Sequence, residues 1–154
     1  LAKRLLIIGH VPSPNTLALR NAVEAGARHP DIKGVEVRAL SPFDTGPEDV
    51  ISADALILGT TENLGYMSGA LKDFFDRCFY QVIEHTEAMP FAYYIRAGLD
   101  GTGTRRAIES ITGGLKWKPV QEGLLFHGEW REEFLDQARD LGMAMAAGLE
   151  AGVF

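Results

Sequence analysis

The chain is nearly without cysteine: Cys78 is the single one among 154 residues. An intramolecular disulfide is therefore impossible, and nothing suggests a secreted disulfide scaffold or a paired-cysteine metal site. Basic residues are in deficit. Fifteen Lys and Arg face 21 Asp and Glu, a net charge of −6. A nucleic-acid partner normally requires a basic face, so none is expected. Long hydrophobic runs are also missing. The apolar run that opens the chain ends at Gly9, too short and wrongly flanked for a signal peptide or a membrane span. A cytoplasmic protein with no membrane insertion is the expectation. No repeat, low-complexity tract or linker interrupts the sequence. No set of His, Cys, Asp and Glu has metal spacing, and no G-x-S-x-G elbow is present.

What is there is ordinary globular material, 46% hydrophobic and 23% charged, of a length that suits one domain over residues 1–154. Arg4–Gly9 is a continuous apolar run closed by glycine, the pattern of a strand buried on both faces. Ser13-Pro14 then reads as a helix start, with Ser as N-cap and Pro in the first turn. Leu19, Ala22, Val23 and Gly26 follow at helical spacing, and Pro30 ends that helix by position 29. Val35–Leu40 alternates as a half-exposed strand does. Asp54–Gly59 is a second buried strand. The stretch from Thr60 to Gly69 is rich in turn formers and reads as a loop.

Leu71, Phe74, Phe75, Cys78, Phe79, Val82 and Ile83 form one stripe of a helix, which makes Cys78 a buried, inert thiol. Phe91–Ala97 is a strand, Thr104–Lys116 a helix and Val120–Phe126 a fifth strand interrupted by Gly123. Trp130, Phe134, Ala138, Leu141, Met145 and Leu149 mark a closing helix. Between the second and third strands no helical stripe is visible, so a helix there is short or absent. Strict alternation of strands and helices implies a parallel sheet with helices on both faces. Five strands fit the order 2-1-3-4-5.

In such sheets ligands bind beyond the carboxyl ends of the strands, where the strand order reverses. Three loops converge there: Gly9–Leu17, Thr60–Gly69 and Ala97–Gly103. The first opens a helix, and a helix N-terminus favours an anion. Ser13, Asn15 and Thr16 can add hydrogen bonds to a phosphate, and His10 can add charge when protonated. Plain N-capping explains the Ser and Thr equally well. The third loop, Gly98-Leu99-Asp100-Gly101-Thr102-Gly103, has the glycines that close backbone approach needs, as does any strand-to-helix turn.

Gly59, Thr60, Gly65, Met67, Ser68, Gly69, Lys72, Phe74, Asp76 and Arg77 resemble the second loop of NAD(P)H-dependent FMN reductases and flavodoxin-like quinone reductases. The resemblance implies a flavodoxin-like three-layer sandwich that binds FMN. It further implies hydride transfer from NADH or NADPH and a quinone, flavin or similar electron acceptor. A flavodoxin-type electron carrier, or a domain that has lost FMN, is the alternative. The resemblance places the flavin ring against Thr60, Thr61, Glu62, Asn63, Leu64 and Gly65. The other loops add Leu17 on one side, and Gly98, Leu99 and Gly101 on the other. It also implies a homodimer or tetramer. The chain departs from the pattern at Thr61, where the family has Pro, and at Asn63, where it has an aromatic residue. Pro14 removes an N–H from the phosphate loop. Leu64 or Tyr66 is then left to face the ring.

Overall fold

The computed structural model describes residues 1–154. In chain order the elements are β1 (Lys3–Gly9), α1 (Pro14–Ala27), β2 (Val35–Leu40), α2 (Pro47–Ile51), β3 (Ala55–Asn63) and β4 (Tyr66–Met67). Then come α3 (Gly69–Val82), β5 (Pro90–Ala97), α4 (Thr102–Gly114), β6 (Lys118–Pro119), β7 (Leu124–His127) and α5 (Glu133–Ala151). The sheet runs β2-β1-β3-β5-β6, with β7 also on β5 and β4 on β3. All pairings are parallel except β3 with β4.

Alternation within the buried strands builds two apolar layers. Leu6, Ile8, Leu56, Leu58, Phe91 and Ile95 face α3 and α4. Leu5, Ile7, Ala55, Ile57, Ala92 and Tyr94 face α1 and α5. A fully buried aliphatic side chain is worth about 1.5–3 kcal/mol, so a strand with both faces covered is fixed in register as well as in place. On the second face α1 and α5 cross at backbone contact. A Cβ on Gly26 would fall 1.9 Å from the carbonyl oxygen of Arg139, and one on Gly142 1.9 Å from that of Val23.

Two expectations need correction. The sheet has seven strands, not five, although its five positions keep the order read from the sequence. The fifth position is shared. β6 pairs with Pro90 and Phe91, and β7 pairs with Tyr94 to Ala97. Between them the backbone at Gly123 lies against the Tyr93 ring, which would stand 2.2 Å from a Cβ of residue 123, so only glycine fits there. The second correction concerns Thr60–Gly69. β3 continues to Asn63 and turns back as a hairpin, pairing Glu62 with Met67 and Asn63 with Tyr66. The segment between β2 and β3 holds only a 3-10 turn (Pro42–Asp44) and the five-residue α2. No helix is long and apolar enough to cross a membrane.

Candidate functional site

The carboxyl ends of β1, β3 and β5 carry the three loops, as parallel pairing in register requires. Gly9 of β1 lies beside Gly59 of β3, and Gly59 beside Tyr94 of β5. The hydrogen-bond inventories of these loops differ.

In the first loop the polar groups are turned on one another. Ser13 caps α1 through a closed box with Thr16. The Thr16 N–H donates to Ser13 Oγ at 3.2 Å, and the Ser13 N–H donates to Thr16 Oγ1 at 3.0 Å. The Thr16 hydroxyl donates to the Ser13 carbonyl at 2.9 Å, and Thr16 is 4% exposed. The His10 and Leu17 N–H groups are bonded to Gly59 and Ser13 carbonyls. Pro12 and Pro14 have no N–H at all. The Val11 and Asn15 N–H groups have no partner within the chain. Burial lowers the His10 pKa from its ordinary value, so near neutral pH the ring is an uncharged donor or acceptor.

In the hairpin and the third loop a carboxylate closes the gap. Glu62 Oε1 accepts from the Leu99 N–H at 2.9 Å and Oε2 from the Gly101 N–H at 2.8 Å. The Thr104 hydroxyl donates to the Tyr66 carbonyl at 2.8 Å. A Cβ on Gly103 would sit 1.9 Å from the Gly65 carbonyl oxygen, so α4 rests directly on the hairpin turn. Gly101 is left-handed at φ 68°, which lets its N–H reach Glu62 before the helix begins. Asp100 accepts from the Thr102 N–H at 3.0 Å, and that bond holds its carboxyl below the usual range. Thr60 is buried, its oxygen accepting from the Ser68 N–H. The Thr61 hydroxyl donates to Asn63 Oδ1.

Three leucines stand outward, one from each loop. Leu17 is 42% exposed, Leu64 106% and Leu99 75%. Leu64 is also left-handed, at φ 52°. Asn or Gly normally occupies that turn position, because a branched side chain is strained there. Gly65 follows at φ 74°. Gly98 would meet nothing within 4 Å if it had a side chain. The edge is an open shelf. Four hollows of 250 to 340 Å³ lie away from this edge, and a fifth of 270 Å³ borders it at Tyr66 and Gly103, between the hairpin and α4.

The fourteen residues expected at a flavin site from the sequence lie on these loops, their strand ends and, for Asn15, Thr16 and Leu17, the first turn of α1. Trp130 does not belong with them. It packs edge-on against Phe134 at 5.6 Å, under the Arg96 guanidinium. Arg77 is structural: it donates to Asp73 and to the Thr45 and Pro42 carbonyls. Sequence reasoning missed Arg20 and Tyr94, which lie under the first loop. It also missed the hairpin, whose signal was a two-residue turn ending in Gly65.

No family model matches the chain. Its fold is nevertheless that of flavodoxins. A flavodoxin from the domain Archaea superposes with a TM-score of 0.77 at 17% identity, over 96% of this chain and 99% of that one. Two-electron reduced Megasphaera elsdenii flavodoxin gives 0.76 at 19% identity, over 93% and 98%. A WrbA-like flavodoxin protein from Agrobacterium tumefaciens gives 0.76 at 19%, over 98% and 99%. The chain has a flavodoxin-like α/β fold. A curated flavodoxin of Aquifex aeolicus (strain VF5) is 36% identical over 73 residues. That match spans 47% of this chain and 38% of the Aquifex protein, well under half of the relative's length.

Proposed function

We propose that the chain binds FMN on this shelf and serves as a flavodoxin-type electron-transfer protein. The observation that carries the reading is Leu64, an exposed leucine held left-handed at a hairpin tip. Folding gains nothing from it, since Asn or Gly would fit the turn without strain. A strained residue kept apolar and outward is a contact waiting for a ligand. Leu17 and Leu99 supply apolar surface from the neighbouring loops, which suits a flat ring.

The roles divide along the edge. The Val11 and Asn15 N–H groups, the α1 N-terminus and the His10 and Asn15 side chains would hold the phosphate. Ser13 and Thr16 would act through the cap. The hairpin backbone from Thr60 to Gly65 and the Gly98–Gly101 loop would border the ring, with Glu62 fixing the distance between them. Bound FMN would supply the redox chemistry, and the chain would supply position and hydrogen bonds.

NAD(P)H-dependent reduction of a quinone or flavin is the second reading. The run from Gly59 to Arg77, with its reductase-like Gly-Tyr-Met-Ser-Gly core at 65–69, favours it. FMN-dependent oxidation of NADH or NADPH with a quinone acceptor separates the two: turnover supports the reductase, and binding without turnover supports the carrier.

Fluorescence titration tests the site. FMN should be quenched saturably at low micromolar protein. Leu64→Asn should weaken FMN by about three- to ten-fold, the loss expected for part of a leucine's apolar contact. Its Tm should be equal or higher, because the turn is relieved. Unchanged affinity in this variant would remove Leu64 from the ring contact, and no FMN binding by the parent would sink the reading.

A further inference from the structure

Beneath the first loop lies a polar pair that neither the sheet nor the helix cap uses. The Tyr94 ring fills the space left by two glycines. A Cβ on Gly59 would lie 2.1 Å from Tyr94 Cζ, and one on Gly9 2.8 Å from the Tyr94 hydroxyl. Tyr94 is 2% exposed, yet its hydroxyl has no hydrogen-bond partner. Burial pushes that phenol well above its ordinary pKa, so it stays a neutral donor.

Arg20, on the second turn of α1, reaches the same place. Its Cδ would also stand 2.8 Å from a Gly9 Cβ. Its one hydrogen bond is a long one, from Nη1 to the Gly9 carbonyl at 3.2 Å. Its Nε is buried with no acceptor, and no carboxylate pairs with it. Arg20 is half-buried, and a guanidinium whose inner Nε has no acceptor gains from a nearby anion. Gly9, which it touches, is the last residue of β1 and the base of the loop whose Pro12 and Pro14 donate nothing. A phosphate dianion must be balanced by N–H donors or by a cation. Here two of the donors are missing and a cation lies behind them.

We propose that Arg20 is the charge partner of a phosphate monoester at the first loop, held against Gly9 beside the Tyr94 hydroxyl, and that it makes the chain select FMN over riboflavin. This rests on the flavin reading above. Arginine suits the task because its planar fork matches phosphate oxygens.

The ratio of dissociation constants for riboflavin and FMN, from fluorescence titration of the flavin-free protein, reads the contribution of the phosphate. The parent should bind FMN about ten-fold or more tighter than riboflavin, the scale of a charged hydrogen bond. Arg20→Gln should weaken FMN by about ten-fold and leave riboflavin within about two-fold. Arg20→Lys should recover part of the difference, and it carries the test if the Gln variant does not fold. Equal weakening of both flavins would make Arg20 merely structural and overturn the proposal. A parent ratio near one would also overturn it, with the flavin reading left standing. If the parent binds neither flavin, that reading falls and inorganic phosphate decides for Arg20. A Tm that rises with phosphate in the parent but not in Arg20→Gln supports the charge partner. No rise in the parent overturns it.

Discussion

The two ends of the candidate site solve the same packing problem in opposite ways. At the first loop the polar side chains turn inward: Ser13 and Thr16 satisfy each other and the helix end. At the hairpin the polar group bridges outward to another segment, and apolar side chains are left facing solvent. The first arrangement is local and would form in any helix with this sequence. The second exists only because β3 and β5 are neighbours. A self-satisfied loop leaves recognition to backbone N–H groups and to charge behind it. A clasped hairpin leaves recognition to shape.

That contrast can be broken at three points. The largest effect is expected at the clasped end. Gly103→Ala places a methyl on the Gly65 carbonyl and should destabilise the protein by about 3 kcal/mol, as overpacking against backbone does. Urea denaturation reads it, and a loss below about 1 kcal/mol would mean that α4 is not seated on the hairpin as described. Glu62→Ala should cost about 2 kcal/mol, because it frees two N–H groups from a charged acceptor. Hydrogen exchange at Leu99 and Gly101 should accelerate while exchange in α1 stays unchanged. Acceleration in both regions would erase the distinction between the ends. The smallest effect belongs to the first loop. Thr16→Ala opens the capping box and should cost about 1 kcal/mol. The loss should be the same with and without FMN, since the Thr16 hydroxyl faces the cap. A larger loss in the presence of FMN would give Thr16 a direct phosphate contact instead.

Much of this was legible beforehand. The buried strands announced themselves as apolar runs closed by Gly9 and Gly59, and the cap at Ser13 followed from Ser-Pro before a helical stripe. The split of the last strand was half legible, because Gly123 marked the break. The need for glycine there was not, since the Tyr93 ring that it lies against comes from another strand. The hairpin was misread as a loop because its return strand has only two residues, too few for a pattern of alternation.

The sequence by itself determined which segments are strands and helices, how the helices begin, and which edge of the sheet gathers the loops. These are matters of period and capping, settled within a few residues of chain. Only the tertiary structure decided what each loop does with its polar groups. Glu62 meets the N–H groups of Leu99 and Gly101 across 37 and 39 residues, and Arg20 and Tyr94 meet on one side of Gly9 from a helix and a distant strand. The physical reason is that a buried polar group must find its partner wherever the sheet order brings one, and strand order is fixed by the packing of both faces together.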